Sequence, residues 1–244
     1  MVLEKLLEPV GKNLWTRNGK ASVPKGGLQL YAPLWHPELT GATFLSKDLN
    51  AHIITPTGTT KGIQGRTFNG ISDYLTVPHA ASIDPGTGSF SIIVWAKLTD
   101  KTDDRRMVTK EKASANFQGF VLTFNITTGY LEAYIRDDLS NTVAGTGSVD
   151  YSDSVWRMYG MTVVPGSATG LQGYVNGLVV TLNTNDLSTI TSSLSTTADL
   201  FIGKFRDASG YFKGDIGKII LYPTRVLSAA EFRNLYQVTK WRYV

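Results

Sequence analysis

The fold is decided by residues 65–98, which read GRTFNGISDYLTVPHAASIDPGTGSFSIIVWAKL. Within residues 90–98 every second side chain, from Phe90 through Val94 to Leu98, is apolar. An alternation with period two is typical of a strand with one buried face. Turn residues precede it at Asn69-Gly70 and Asp84-Pro85-Gly86, and they favour tight changes of direction. The stretch therefore predicts two strands joined by a turn-rich loop.

Length and composition limit the class of protein. The chain has 244 residues and no cysteine, so one large all-β domain can form a core without disulfides. Thiolate metal sites and thiol nucleophiles are excluded. The 24 basic and 20 acidic residues are dispersed, which is typical of a solvated surface and disfavours a nucleic-acid partner. The opening MVLEKLLEPVGK is too charged for a signal peptide or a membrane span, so we expect cytoplasmic synthesis and no membrane partner.

The remaining sequence predicts many strands and one helix. Apolar runs bounded by turn residues predict strands at 28–34, 120–126, 130–136, 155–164, 200–203 and 211–222, and a hairpin at 171–182 around Asn176-Gly177. The mixed-charge run 103–112 is predicted to be a solvated loop, and the Ser/Thr/Asn-rich run 183–197 a polar loop or a long exposed edge segment. Ser228 and Glu231 spell a capping box, which predicts a short helix over 229–236. This pattern indicates a sandwich or jelly roll.

Seven segments, taken in order, carry a resemblance to a known family. They are Phe68-Asn69-Gly70 with Asp73-Tyr74-Leu75, Ser89-Phe90-Ser91 with Trp95, Trp156, Tyr174-Val175-Asn176-Gly177, Leu200-Phe201-Ile202-Gly203, Phe212-Lys213-Gly214, and Leu221-Tyr222 with Val226-Leu227-Ser228-Ala229-Ala230-Glu231-Phe232. Over about residues 65–236 the chain resembles laminin-G-like domains of the concanavalin-A-like lectin and glucanase superfamily. The resemblance implies an all-β, concanavalin-A-like jelly-roll β-sandwich at 25–244, with a short N-terminal arm at 1–24 and the short C-terminal helix.

The resemblance breaks at positions that concern metal binding. Many relatives carry Asp where this chain has Asn69 and Asn176, and an acidic pair where it has Gly217-Lys218. Those acids help to bind calcium in relatives, and calcium takes six to eight oxygen ligands. Their loss argues against a calcium site and leaves Asp73 and Asp215 as the candidate ligands. We therefore expect no cofactor.

The sequence shows no pair of carboxylates on one strand face. Enzymes of the superfamily resemble each other in carrying two or three acids in that arrangement. A glycoside hydrolase needs two carboxylates about 5–5.5 Å apart to retain configuration, or about 6.5–9.5 Å apart to invert it. Here Glu132 has Tyr134 and Arg136 as its neighbours on the same face. Glu231 belongs to the helix cap, and no Gly-x-Ser-x-Gly motif marks a nucleophile. The chain is predicted to be non-catalytic.

Aromatic side chains are the candidates for glycan binding. Sugar sites place aromatic platforms beside planar polar groups, usually on a rigid scaffold. The candidates are Tyr130, Tyr134, Tyr151, Trp156, Tyr159 and Tyr211.

The N-terminal segments add a prediction about where the protein acts. Leu3, Leu6 and Leu7 lie on one side of a predicted helix and would be exposed apolar surface unless they contacted a neighbouring subunit. Residues 30–39, LYAPLWHPEL, are similar to the starts of lectin-like proteins that phages encode. We predict a virion-surface component, for capsid decoration or adhesion, that contacts glycans or other virion subunits and forms a homo-oligomer through the arm. The alternatives are a free-standing extracellular carbohydrate-binding module and a glycoside hydrolase of the same superfamily.

Overall fold

The computed structural model describes residues 23–102, 105–113, 117–207 and 209–244. The strands are β1 Leu30–Pro33, β2 Phe44–Leu45, β3 Ile53–Thr57, β4 Thr60–Lys61, β5 Arg66–Asn69, β6 Tyr74–Val77, β7 Phe90–Leu98, β8 Arg105–Glu111, β9 Gly119–Phe124, β10 Tyr130–Arg136, β11 Thr142–Asp150, β12 Arg157–Val163, β13 Leu171–Val175, β14 Leu178–Val180, β15 Leu200–Ile202 and β16 Lys213–Tyr222. Helix α1 is Ala229–Thr239, and two 3-10 turns are Ala81–Ile83 and Lys240–Arg242. In these ranges, no helix is both long enough and apolar enough to cross a bilayer.

The strands form two antiparallel sheets of eight strands each, which confirms the predicted sandwich. The first sheet has the order β14-β13-β12-β7-β16-β5-β4, and β1 also pairs with β16. The second sheet has the order β11-β10-β9-β8-β15-β6-β3-β2. The strands predicted at 120–126 and 130–136 pair as a hairpin. The hairpin predicted at 171–182 is present, with Asn176 and Gly177 at positive φ.

The hydrophobic core lies between the two sheets. Near its centre the Phe124 ring packs edge-on against the Tyr159 ring, with 4.9 Å between their centroids. Phe90 of the first sheet contacts Phe120 of the second with tilted rings, at 4.7 Å between centroids. Because side chains alternate along each strand, every second residue is directed to an outer face instead.

Residues 65–98 form three strands, so the prediction of two was incomplete. The additional strand is the four-residue β6, and the chain crosses between the end of β5 in the first sheet and the start of β6 in the second. The turn between them is fixed by Asn69, whose side-chain oxygen accepts hydrogen bonds from the N–H groups of Ile71 and Ser72 at 2.8 and 2.9 Å. The boundaries predicted for β7 are correct.

The prediction that β7 buries one face was wrong, because the outer face of the first sheet is covered as well. Trp95, on that face, stacks on Tyr243 at 4.3 Å and donates a hydrogen bond to the Thr239 hydroxyl at 2.8 Å. Helix α1 lies over the same face, and its Phe232 ring stacks on Tyr174 at 3.8 Å. The capping box of Ser228 and Glu231 is present as predicted.

The mixed-charge run at 103–112 is not a solvated loop, because most of it forms the buried central strand β8. Residues 103 and 104 lie outside the described residues. Lys110 on this strand is fully buried and donates hydrogen bonds to the carbonyls of Thr196 and Ala198 at 3.0 and 2.9 Å. Its ammonium also lies 3.7 Å from the Asp84 carboxylate. The charged side chain therefore fixes the polar loop after β14 to the sandwich.

The N-terminal arm, with Leu3, Leu6 and Leu7, lies outside the described residues. The described chain begins at Val23, which is buried against the outer face of the first sheet. The next residue, Pro24, accepts a hydrogen bond from the Tyr222 hydroxyl at 2.7 Å. The arm therefore joins the sandwich on the side of the first sheet.

Candidate functional site

The outer face of the second sheet carries three rows of side chains that the register places side by side. Residues that are opposite each other in paired strands direct their side chains to the same face. The rows are Thr146, Glu132, Thr123 and Arg106; then Ala144, Tyr134, Val121, Thr109, Phe201, Thr76 and Thr55; then Thr142, Arg136, Gly119 and Glu111. Strands β8 and β10 therefore concentrate charged and aromatic groups in one place.

Three guanidinium groups and three aromatic rings alternate in a closed cycle on this face. In order around this arginine–aromatic cycle, the residues are Tyr134, Arg106, Phe205, Arg206, Phe117 and Arg136, which returns to Tyr134. The six distances from guanidinium carbon to ring centroid are 5.4, 4.6, 3.8, 3.9, 5.7 and 4.8 Å in the same order. Each contact is attractive because a cation lies over the negative face of a ring.

The cycle joins separate parts of the chain. Its strand residues come from β8 and β10, Phe117 precedes β9, and Phe205 and Arg206 follow β15. The latter segment turns back on itself, where the Phe205 N–H donates to the Ser209 carbonyl at 3.1 Å. The side chains are therefore held by a sheet on one side and two loops on the other, which makes a rigid surface.

One carboxylate is shared by two members of the cycle. Glu111 is fully buried and pairs through one oxygen with Arg136 and through the other with Arg206. The two arginine side chains keep 16% and 10% of their surface exposed. Glu111 thus holds both guanidinium groups in fixed orientations at the edge of the cycle.

The second carboxylate on this face is far from the first. Glu132 accepts a hydrogen bond from the Thr146 hydroxyl at 2.8 Å, at the end of its row opposite to β8. Glu111 and Glu132 lie two strands apart and two rows apart, so their backbone positions are about 16 Å from each other. The two glutamates are therefore neither on one strand nor on adjacent strands, which are the placements that bring two carboxyl groups to the spacing of a glycosidase.

The structure separates the six predicted glycan-binding residues into two groups. Tyr134 belongs to the cycle, Tyr130 lies two residues before Glu132 on the same side of β10, and half-buried Tyr211 contacts Tyr74 with 6.4 Å between centroids.

The other three are buried. For Tyr159 the prediction was wrong, because its ring is 0% exposed in the core and cannot reach a ligand. Tyr151 is buried against Tyr159 at 5.5 Å between centroids, and Trp156 is buried against Tyr243 at 4.9 Å. These rings are part of the scaffold.

Both candidate metal ligands already have protein partners. A carboxylate oxygen of Asp73 accepts the Asn69 N–H at 3.1 Å. Asp215 pairs with the Lys97 ammonium at 2.6 Å and accepts a hydrogen bond from the Thr67 hydroxyl at 2.6 Å. Among the residues that the structure describes, no three His, Asp or Glu side chains are grouped as metal ligands would be. The geometry therefore gives calcium no ready set of ligands at Asp73 or Asp215.

Sequence reasoning missed four members of the cycle, and a fifth was noticed only as a neighbour. The sequence predicts a loop at Arg106, and it does not mark Phe117, Phe205 or Arg206 as candidates for ligand binding. The available signal was on β10, where Tyr130, Glu132, Tyr134 and Arg136 alternate on one face.

Sequence comparison identifies the class of protein. The chain matches the laminin-G family model of the concanavalin A-like lectin/glucanases superfamily over residues 69–232. It belongs to that superfamily. Comparison with curated protein sequences found no match.

Solved structures of similar fold come from toxins and from an enzyme. The binding domain of Paraclostridial Mosquitocidal Protein 1 is 15% identical with a TM-score of 0.65, over 87% of this chain and 52% of that chain. Trypanosoma rangeli sialidase in complex with sialic acid is 14% identical with a TM-score of 0.64, over 88% and 33%. The binding domain of Botulinum Neurotoxin serotype G is 11% identical with a TM-score of 0.63, over 80% and 48%. The chain thus spans about half of each toxin binding domain and a third of the sialidase, and the likeness is one of fold.

Proposed function

We propose that this protein is a non-catalytic, lectin-like binding domain that binds a glycan on the outer face of its second sheet. The observation that carries the proposal is the arginine–aromatic cycle. It combines the two elements that a sugar site requires, which are ring platforms and planar hydrogen-bond donors on a rigid scaffold.

The cycle can contact a saccharide in two ways. Phe117 is 38% exposed and the Tyr134 ring is half-buried, so the part of each ring that the arginines leave exposed can contact the apolar face of a sugar. The guanidinium groups of Arg136 and Arg206 can donate hydrogen bonds to sugar oxygens from fixed positions, because Glu111 orients them. Little conformational entropy is lost on binding to such a preorganised surface.

The arrangement of acids supports a non-catalytic role. Glu111 is enclosed by two arginines and Glu132 is hydrogen-bonded to Thr146, so neither is placed to protonate a leaving group. Their backbone positions lie about 16 Å apart on strands that are not adjacent, which supports the inference that they do not act as a pair on one glycosidic bond.

The experiment is a glycan array followed by calorimetric titration of the strongest ligand. We expect Tyr134→Ala and Phe117→Ala each to weaken binding about tenfold, because each removes a stacking platform worth on the order of 1 kcal/mol. Trp241→Ala is the matched control, since this ring is 43% exposed and lies beyond the other sheet. Unchanged affinity in both cycle variants would refute the proposed site, and polysaccharide hydrolysis abolished by Glu132→Gln would refute the non-catalytic role.

The place of this domain on a virion surface is a second, independent proposal. Its support is the sequence alone: the likeness of residues 30–39 to phage-encoded lectin-like proteins and the three leucines of the arm. In that setting the partners are host glycans or neighbouring subunits.

A further inference from the structure

Glu111 and the two arginines that pair with it carry a net positive charge. Arg136 and Arg206 carry two positive charges, and Glu111 supplies one negative charge between them. These three side chains are buried or nearly so, and a charge held out of water without a partner is costly. An anion that reached this point would restore neutrality.

The two arginines also have hydrogen-bonding capacity left. A guanidinium group has five N–H donors. In the described part of the chain, Arg136 and Arg206 each donate one hydrogen bond, in both cases to Glu111. Glu111 is fully buried, so a ligand would add to this arrangement without displacing its carboxylate.

We propose that the glycan bound at the cycle carries a carboxylate, which pairs with Arg136 and Arg206 while its sugar ring packs on Phe117 or Tyr134. The inference rests on the proposed function, because it names the class of saccharide for the same site. A carboxylate fits better than a hydroxyl group for two reasons. It supplies the missing negative charge, and its planar pair of oxygens matches the fork of N–H donors on a guanidinium group.

The test compares acidic saccharides with neutral counterparts, which lack either the carboxylate alone or the whole acidic sugar. Calorimetric titration of the full chain would use cellobiouronic acid against cellobiose, and 3′-sialyllactose against lactose. We expect at least one acidic member to bind about tenfold or more tightly than its neutral partner, in line with the strength of charge-assisted hydrogen bonds. We expect that preference to decline as sodium chloride is raised from 0.05 to 0.5 M, because salt screens the attraction between the anion in solution and the partly exposed arginines.

Variants locate the preference. Arg136→Gln should abolish the discrimination between acid and neutral sugar, while Arg136→Lys, which keeps the charge but loses the planar fork, should retain part of it. Arg233→Gln is the matched control, because Arg233 is exposed on α1. If Arg136→Gln does not fold, as judged by circular dichroism, Arg206→Gln and the salt dependence of the wild-type protein replace it.

The outcomes separate the two proposals. Equal binding of acidic and neutral partners, lost in Tyr134→Ala, would overturn the inference and leave the proposed function standing. Binding of a sulfated cellobiose more tightly than cellobiouronic acid would also overturn the carboxylate assignment. Binding of none of these saccharides, together with an array on which no glycan binds, would overturn both proposals.

Discussion

Lys218 is an uncommon residue for its surroundings. Only 4% of its surface is exposed, and its ammonium lies 5.7 Å from the centroid of the Tyr31 ring. Burial, and to a smaller extent the positive charge of Arg242, lower the pKa of this amine to about 7. Because an unfolded lysine has a pKa near 10.4, the folded protein must release a proton or bury a charge.

The first prediction concerns Lys218→Met. The folded pKa is below the unfolded one, so this lysine destabilises the protein fully at pH 7 and below, and the cost disappears as pH rises toward 10. We expect the substitution to raise the free energy of unfolding at pH 7 by about 2–4 kcal/mol. Between pH 7 and 9 the wild-type protein should gain about 1.4 kcal/mol per pH unit relative to the variant.

Urea unfolding at pH 7, 8 and 9 checks this prediction. Lys213→Met is the control, because Lys213 lies on the same strand with 49% of its side chain exposed. If the free energy of unfolding changed with pH in the same way in the wild type and in Lys218→Met, Lys218 would be protonated in the folded protein over this range, contrary to the prediction.

At the scale of elements, the strand β7 and the hairpin at β9–β10 were predictable because local alternation and turn residues specify them. The strand β8 was not, because its buried charges at Lys110 and Glu111 are paired with residues far along the chain. Lys110 donates to the carbonyl of Thr196, and Glu111 pairs with Arg206. None of these partners is close to β8 in the sequence. The sequence around β8 therefore predicts a solvated loop.

The same limit applies to the candidate site. Tyr134 could be chosen from its sequence, since it alternates with buried residues on a well-marked strand. The other rings of the cycle, Phe117 and Phe205, lie in loops whose return to the sheet depends on tertiary packing. Conversely, Tyr159 looked equivalent to Tyr134 in sequence, and only the packing of the two sheets made it a core residue.

The capping box of helix α1 provides a prediction at the scale of elements. The Ser228 hydroxyl accepts the Glu231 N–H at 3.2 Å, and the Glu231 carboxylate accepts the Ser228 N–H at 2.9 Å. Ser228→Ala removes one half of this capping box, so we expect the free energy of unfolding to decrease by about 1 kcal/mol. Ser195→Ala, on the exposed part of the loop after β14, should change it by less than about 0.5 kcal/mol. Thermal unfolding followed by circular dichroism distinguishes the two, and equal effects would contradict the assigned role of the cap.

At the scale of the whole molecule, the two outer faces differ. The outer face of the first sheet is covered by the chain itself, through Phe232 on Tyr174 and Tyr243 on Trp95. The outer face of the second sheet carries the cycle. The arm joins the domain beside Tyr222, on the side of the first sheet. A neighbouring subunit that contacted the domain beside Val23 and Tyr222 would therefore leave uncovered the face that we propose binds a glycan.

This separation gives the last prediction, which tests the role proposed for the arm. If Leu3, Leu6 and Leu7 contact a neighbouring subunit, the full chain should be an oligomer by size-exclusion chromatography with light scattering. Removal of residues 1–20 should give a monomer with unchanged glycan affinity, because the described sandwich begins at Val23. Arg136→Gln should have the opposite effect, lowering affinity for the acidic sugar and leaving the oligomer intact. A full chain that is monomeric at micromolar concentration would refute the subunit contact, and a truncated chain that loses glycan binding would show that assembly and recognition depend on each other.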